Sequence, residues 1–153
     1  MIERLQLLAG QRSNGTSVHE EVLAESQANG WYRLLKSPGL VQGLAAGDVF
    51  EAIPDGQFKI IERSGNVCVQ IFSRGDLNAL EQHITGNLGQ LGGYLDGKSH
   101  MQLVYTVSVA GGFEAIEAAF REMTALFPDA EWYYGNVYDP TDGVTPLKWW
   151  DKA

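Results

Sequence analysis

Three histidines, one cysteine and two pairs of nearby carboxylates are the residues of this chain whose types could carry out chemistry. His19, His83 and His100 are scattered, and none stands at a metal-ligand spacing from another or from Cys68. Cys68 with His83 or His100 could form a nucleophile and its base. The cysteine, however, sits between Val67 and Val69 in an alternating apolar run, with no basic neighbour or helix terminus to favour the thiolate. Asp76 with Glu81, and Glu114 with Glu117, fall on the polar sides of amphipathic stretches, where carboxylates are ordinary solvated charges. The glycines of Thr85-Gly86-Asn87-Leu88-Gly89 lie inside such a stretch and lack the Lys-Ser or Lys-Thr that follows a phosphate-binding loop. These patterns predict no catalytic residue, no metal site and no cofactor.

One segment is different in kind. Glu131-Trp132-Tyr133-Tyr134-Gly135-Asn136-Val137-Tyr138-Asp139-Pro140-Thr141-Asp142-Gly143, with Leu147-Lys148-Trp149-Trp150-Asp151 after it, holds three of the four tryptophans, three of the six tyrosines and four acids. As a strand, it turns Trp132, Tyr134 and Tyr138 to one side and Tyr133 and Val137 to the other. At a sheet edge part of that surface stays exposed, and aromatic anchors ringed by charge suit protein docking. Tyr134, Tyr138, Asp139, Asp142, Trp149, Trp150 and Asp151 are therefore the candidate partner-binding residues. The bland alternative is that the rings pack over the rest of the fold.

Charge distribution narrows the partner. Of a net charge of −8, the stretch 111–153 carries eight acids against Arg121, Lys148 and Lys152. A phosphate backbone is repelled by such a surface and a basic protein is steered toward it. Cys68 has no internal disulfide partner, so nothing marks an oxidising compartment. The start, Met1-Ile2-Glu3-Arg4-Leu5, lacks the basic segment and apolar run of a signal peptide, and no apolar stretch is long enough to cross a bilayer. A cytoplasmic protein that binds neither nucleic acid nor membrane is expected. No oligomeric state follows from these features.

The elements that must position this segment show up as an internal repeat at an offset of 36 residues. Val67, Val69 and Ile71 alternate as a strand, Gly75 follows, and Leu77, Leu80, Ile84, Leu88 and Leu91 mark one helical face. In the second copy Leu103, Tyr105 and Val107 alternate, Gly111 follows, and Phe113, Ile116, Phe120, Met123 and Phe127 mark the other helix. Asp76 is placed to cap the first helix, and Gly92-Gly93 to end it. Asp96-Gly97 is a two-residue hairpin signal between a short strand at Tyr94-Leu95 and the strand from His100 to Val109. With a last strand from Glu131 to Tyr138, the order over 66–153 is β-α-β-β-α-β, predicting a ferredoxin-like plait with both helices on one face.

Residues 1–65 read as a separate β-rich subdomain, a small twisted sheet or partial barrel. Turn signals at Asn14-Gly15, Asn29-Gly30, Ser37-Pro38-Gly39, Pro54-Asp55-Gly56 and Ser64-Gly65 separate strands at Ile2 to Leu8, Ser17 to Ala24, Trp31 to Leu35, Asp48 to Ile53 and Gln57 to Arg63. Ser64-Gly65 invites Gln57 to Arg63 to pair with the strand that follows, as one long bent strand serving both sheets. Gly47-Asp48 reads as a turn whose aspartate bonds the turn backbone.

Tyr32-Arg33-Leu34, Pro38, Gly43-Leu44-Ala45-Ala46-Gly47-Asp48-Val49 and Glu62-Arg63-Ser64-Gly65-Asn66 resemble a bacterial family known only as a domain of unknown function. The resemblance lies mainly in the first half. It implies a β-rich first half and an α/β second half, and no activity.

The expected function is thus an acidic protein-binding module that is not an enzyme, most concretely an immunity protein that neutralises a basic bacterial toxin. A small-molecule-sensing regulatory domain, with Arg74-Gly75-Asp76 and Ala110-Gly111-Gly112 as its loops, is the alternative. An enzyme built on His19, His100 or Cys68 comes third.

Overall fold

The computed structural model describes residues 1–151; Lys152, counted above among the bases, and Ala153 lie outside them. The described residues fold as α+β, with two antiparallel sheets, two α-helices and no closed barrel. Strands β1 (Ile2–Gln11), β2 (Ser17–Ser26), β3 (Trp31–Leu34), β4 (Val49–Ile53) and β5 (Gln57–Glu62) form an open meander in sequence order. Strands β6 (Asn66–Ser73), β7 (Tyr94–Lys98), β8 (Gln102–Ser108) and β9 (Ala130–Tyr134) form the second sheet, ordered β7-β8-β6-β9. Helix α1 (Leu77–Gly89) joins β6 to β7, and α2 (Phe113–Leu126) joins β8 to β9.

The repeat puts its apolar positions where the period requires. Val67, Val69 and Ile71 pair with Val107, Tyr105 and Leu103, and all six are sealed from solvent against Leu80, Ile84, Ile116 and Phe120 of the helices. Each such aliphatic or aromatic chain contributes about 1.5–3 kcal/mol by leaving water. Asp76 caps α1 through its Oδ1, which accepts the N–H groups of Asn78 (2.9 Å) and Ala79 (3.3 Å). Gly92, at φ +79°, ends the helix by letting the Gly93 N–H reach the Leu88 carbonyl at 2.7 Å.

The other face of this sheet is covered by the segment 35–48, which threads between the two sheets. Val41 and Leu44 of that segment enter the first sheet's core beside Leu7, Val22, Ala24, Leu34 and Phe50. Toward the second sheet it presents Ala45, against Cys68 and Val104, and its own main chain. Gln70 Nε2 donates to the Pro38 carbonyl (3.1 Å), Gln102 Nε2 to that of Gly39 (2.6 Å) and Asn66 Nδ2 to that of Ala46 (2.9 Å). Two carboxylates tie the segment down: Glu20 accepts the N–H groups of Gly39, Leu40 and Val41, and Asp96 that of Ser37.

Three sequence expectations need correction. Asp96-Gly97 is not the hairpin turn. Both lie within β7, with Asp96 bulged out of register, because its carboxylate is held by the Ser37 N–H and the Thr106 hydroxyl; the chain turns at 99–101 instead. No strand serves both sheets: β5 pairs with β4 alone, and the chain crosses between sheets at Gly65, φ +90°. The last strand stops at Tyr134. Beyond it Gly135 fits under β6 so closely that a Cβ would lie 2.6 Å from Cys68 Sγ, and Val137 turns into the helix-side core instead of sharing a face with Tyr133. The first sheet keeps an open strand order, β1-β2-β3-β4-β5, and does not close into a barrel.

Candidate functional site

The sequence-predicted residues divide into three places. Tyr134, Tyr138 and Asp139 line one groove of about 820 Å³ that runs along the outer edge of β9. Alternation along β9 explains its walls. Trp132 and Tyr134 point to the helices, where Trp132 stacks on Phe120 (ring centroids 4.5 Å apart) and Tyr134 meets Phe113 (5.5 Å). Tyr133 points the other way, edge-on to Phe72 at 6.1 Å, and is 52% exposed. The Tyr134 hydroxyl donates to Glu117 Oε2 at 2.9 Å, and its burial together with that carboxylate pushes the phenol well above its ordinary range. Tyr138 stands 6.4 Å from Tyr134 and is 39% exposed.

Asp139 and Asp142 belong to a tight turn. Asp139 Oδ1 accepts the Thr141 N–H, and Asp142 Oδ1 those of Val144 and Thr145, all at 2.9 Å, while Asp142 Oδ2 accepts the Thr145 hydroxyl. These bonds hold the Asp142 carboxyl below the usual carboxylate range. Both aspartates thus shape the turn that ends the groove before they can contact anything else.

Trp149, Trp150 and Asp151 form the third place, a short 3-10 turn on the helix side. Trp150 packs on Phe113 (4.9 Å), and Trp149 Nε1 donates to the Asn136 carbonyl at 2.8 Å. Both indoles are half-buried against the core, while Asp151 is exposed. For these two rings the packing role describes the geometry better than a free docking patch does. Sequence patterning missed the groove's remaining walls, notably Leu40 and Gln42 from the 35–48 segment and Glu117 and Arg121 from α2. Glu117 falls on the polar stripe of an amphipathic helix and carries no local signal, although it is partly buried where it meets Tyr134. Leu40 reaches the groove only because Glu20 holds its loop down.

A second polar cluster closes the junction between the sheets. Asp48 Oδ2 accepts the Ala45 N–H (3.0 Å) and lies 3.4 Å from the Arg63 guanidinium; Oδ1 accepts the Ser64 N–H (2.9 Å). Burial pushes this carboxyl up, against the N–H groups of Ser64 and Ala45 and the charge of Arg63; burial likewise pulls the guanidinium down. Arg63 also donates to the Gly43 carbonyl at 2.7 Å and sits 5.8 Å above the Trp149 ring. Every polar group here is occupied by a structural bond, and Asp48 braces its turn as its position after Gly47 suggests. Gly47, at φ +90°, leaves no room for a side chain, since a Cβ there would lie 2.8 Å from that of Ser64.

The residues with catalytic potential stay apart. Cys68 is wholly buried, and that burial pushes its thiol up, against forming the thiolate a nucleophile needs. His19 is exposed on β2 of the first sheet, and His100 is exposed in the β7–β8 turn of the second. His83 lies on the helices, with Asn87 Nδ2 bridging toward Glu122 Oε2 at 2.8 Å. Among the described residues no group of three or more His, Cys, Asp or Glu side chains is placed to hold a metal ion. No helix among them is long and apolar enough to cross a membrane.

The fold has a solved counterpart. A crystal structure of a hypothetical protein from Neisseria gonorrhoeae superposes with a TM-score of 0.65 over 88% of this chain and 94% of that one, at 13% sequence identity, a likeness of fold alone. No curated protein matches the sequence. The model of a domain of unknown function, DUF4265, matches residues 20–126, from within β2 to the last residue of α2, and the chain belongs to that family.

Proposed function

We propose that the chain is a protein-binding module without catalytic activity, a cytoplasmic stoichiometric inhibitor that docks on a basic protein and covers its active site. An immunity protein neutralising a bacterial toxin is the concrete form of this reading. The observation that carries it is the groove along β9, where the half-exposed rings of Tyr133 and Tyr138 stand among the carboxylates of Glu117 and Asp139, with Glu131 beside the groove accepting the Tyr133 hydroxyl at 3.1 Å. Aromatic anchors supply contact area at little entropy cost, and a surrounding negative field speeds encounter with a cationic partner. In the same reading residues 66–153 form a ferredoxin-like plait, which the order β7-β8-β6-β9 and the two intervening helices support, and residues 1–65 are its β-rich companion subdomain.

The test is association kinetics. The tagged chain should isolate a one-to-one complex with a basic protein from its native host, with an association rate that falls as salt rises. Glu131→Lys with Asp151→Lys reverses two exposed charges without touching the turn that Asp139 and Asp142 brace. The pair should slow association about tenfold at low salt and flatten the salt dependence. An unchanged rate overturns the proposal.

A second reading, a small-molecule sensor, is favoured by the groove's volume, which lies within the range of ligand pockets. A metabolite panel separates the two: a ligand of the native state raises the melting temperature by mass action. A module awaiting a protein partner shows no such shift.

A further inference from the structure

The two sheets end in four edge strands, and three of them carry features that prevent another strand from adding. β1 has Ala9 bulged between Leu8 and Gly10 and bears Arg4. β5 has Ile61 bulged between Ile60 and Glu62 and bears Lys59. β7 has Asp96 bulged between Leu95 and Gly97 and bears Lys98. A bulge twists the row of main-chain groups out of line, and a long cation on the edge would have to be buried by an incoming strand. β9 has neither feature. Its register against β6 runs without a shift from Ala130 to Tyr134, and Ala130-Glu131-Trp132-Tyr133-Tyr134 contains no Lys, Arg, Pro or Gly.

The direction of the free groups follows from one bond. The Gly135 N–H donates to the Cys68 carbonyl at 2.7 Å, so the main-chain groups of Glu131 and Tyr133 also face β6 and those of Trp132 and Tyr134 face outward. The groove lies along that outward edge. A strand laid there would turn alternate side chains to opposite walls. One set meets Glu117 of α2, and the other meets Phe72, Tyr133 and Leu40, the last 47% exposed.

We propose that the outer edge of β9 is a strand-addition site for an extended segment of a basic protein in which cationic residues alternate with apolar ones. The inference rests on the protein-binding reading and specifies its contact. Main-chain bonds to Trp132 and Tyr134 supply the strand register, and alternate side chains supply the selectivity. Charge sets the occupant: Glu117 and Asp139 outnumber Arg121 along the groove, and Glu131 adds another acid on the strand itself. A second copy of this chain would bring together two bodies of charge −8, which disfavours self-pairing.

The experiment uses the full chain and a capped peptide of about nine residues alternating lysine and valine, long enough to span the strand. Two controls accompany it: the same peptide N-methylated at every second residue, and a version with glutamate for lysine. The expected result is that amide exchange at Trp132 and Tyr134 slows about tenfold with the lysine peptide, while the methylated and glutamate peptides bind at least about tenfold more weakly. Equal binding of the methylated peptide, with exchange at those amides unchanged, overturns strand addition while leaving charge-steered docking of a protein intact. No binding by any peptide also overturns the inference, and the salt-dependent association of the whole partner then decides the broader reading separately. Protection of the same amides in a concentration-dependent dimer without peptide would replace the basic partner with a second copy.

Discussion

The two faces of the β6–β9 sheet differ chemically: the helix side is dry and apolar, whereas the other is largely polar and opens to solvent at Tyr133, 52% exposed. Toward the helices Val67, Val69 and Ile71 of β6 and Leu103 and Val107 of β8 are apolar, and the hydroxyl of Tyr105 meets that of Thr85 at 2.6 Å. Toward the 35–48 segment the same strands present Asn66, Cys68, Gln70, Gln102 and Thr106, tied to main-chain carbonyls and to one hydroxyl chain. In that chain the Ala46 N–H donates to Ser37 Oγ (2.9 Å), Ser37 Oγ lies 2.6 Å from Thr106 Oγ1, and Thr106 Oγ1 donates to Asp96 (2.5 Å). Among the described residues no buried side-chain polar atom lacks a partner. An apolar face tolerates any well-shaped cover, whereas a polar face is stable only against the one segment that answers each of its donors and acceptors. The second face therefore selects how the two sheets meet, and with it the position of Leu40 and Gln42 on the groove.

Substitutions on the two faces should separate these roles. The largest loss belongs to Phe120→Ala, which removes a fully buried ring stacked on Trp132 and should cost about 3–5 kcal/mol in urea unfolding. A smaller loss would mean that Trp132 collapses into the space, which its fluorescence would report. Asp48→Ala comes next at about 3 kcal/mol, because it strands the Arg63 charge and the N–H groups of Ala45 and Ser64. Its sharper readout is positional: amide exchange should quicken through 35–48 before it does in α1 or α2. Uniform acceleration would break the distinction between the faces. The smallest effect is a coupling. Thr106→Val and Ser37→Ala should each cost about 1–3 kcal/mol, and the double variant about 1 kcal/mol less than their sum, since the bond between the two hydroxyls can be lost only once. Strict additivity would show that the hydroxyl chain is no unit.

Where a residue's partner lies within a few positions of it, its role could be read in advance. Asp76 caps the helix that begins at Leu77, Gly92 ends it, and the repeat from Val67 to Phe127 fills the helix-side core. Asp96 misled because its chemistry as a turn former is local while its partners, Ser37 and Thr106, are distant and pull it into β7. The C-terminal aromatics divided for the same reason. Tyr134, Tyr138 and Asp139 reach a common groove, whereas Trp149 and Trp150 are spent on packing against Phe113 and the Asn136 carbonyl.

By itself, the amino-acid sequence determined the strand and helix periods, the capped ends of α1 and the acidic, aromatic character of the last forty residues. These depend on backbone geometry repeating every two or 3.6 residues and on formal charge, which need no knowledge of what lies across the molecule. Tertiary structure alone decided which sheet edge stays open, which polar side chains seal the 35–48 segment, and which aromatic rings remain in contact with solvent. The sealing of that segment turns on hydrogen-bond partners dozens of residues apart, and no local period encodes such pairing.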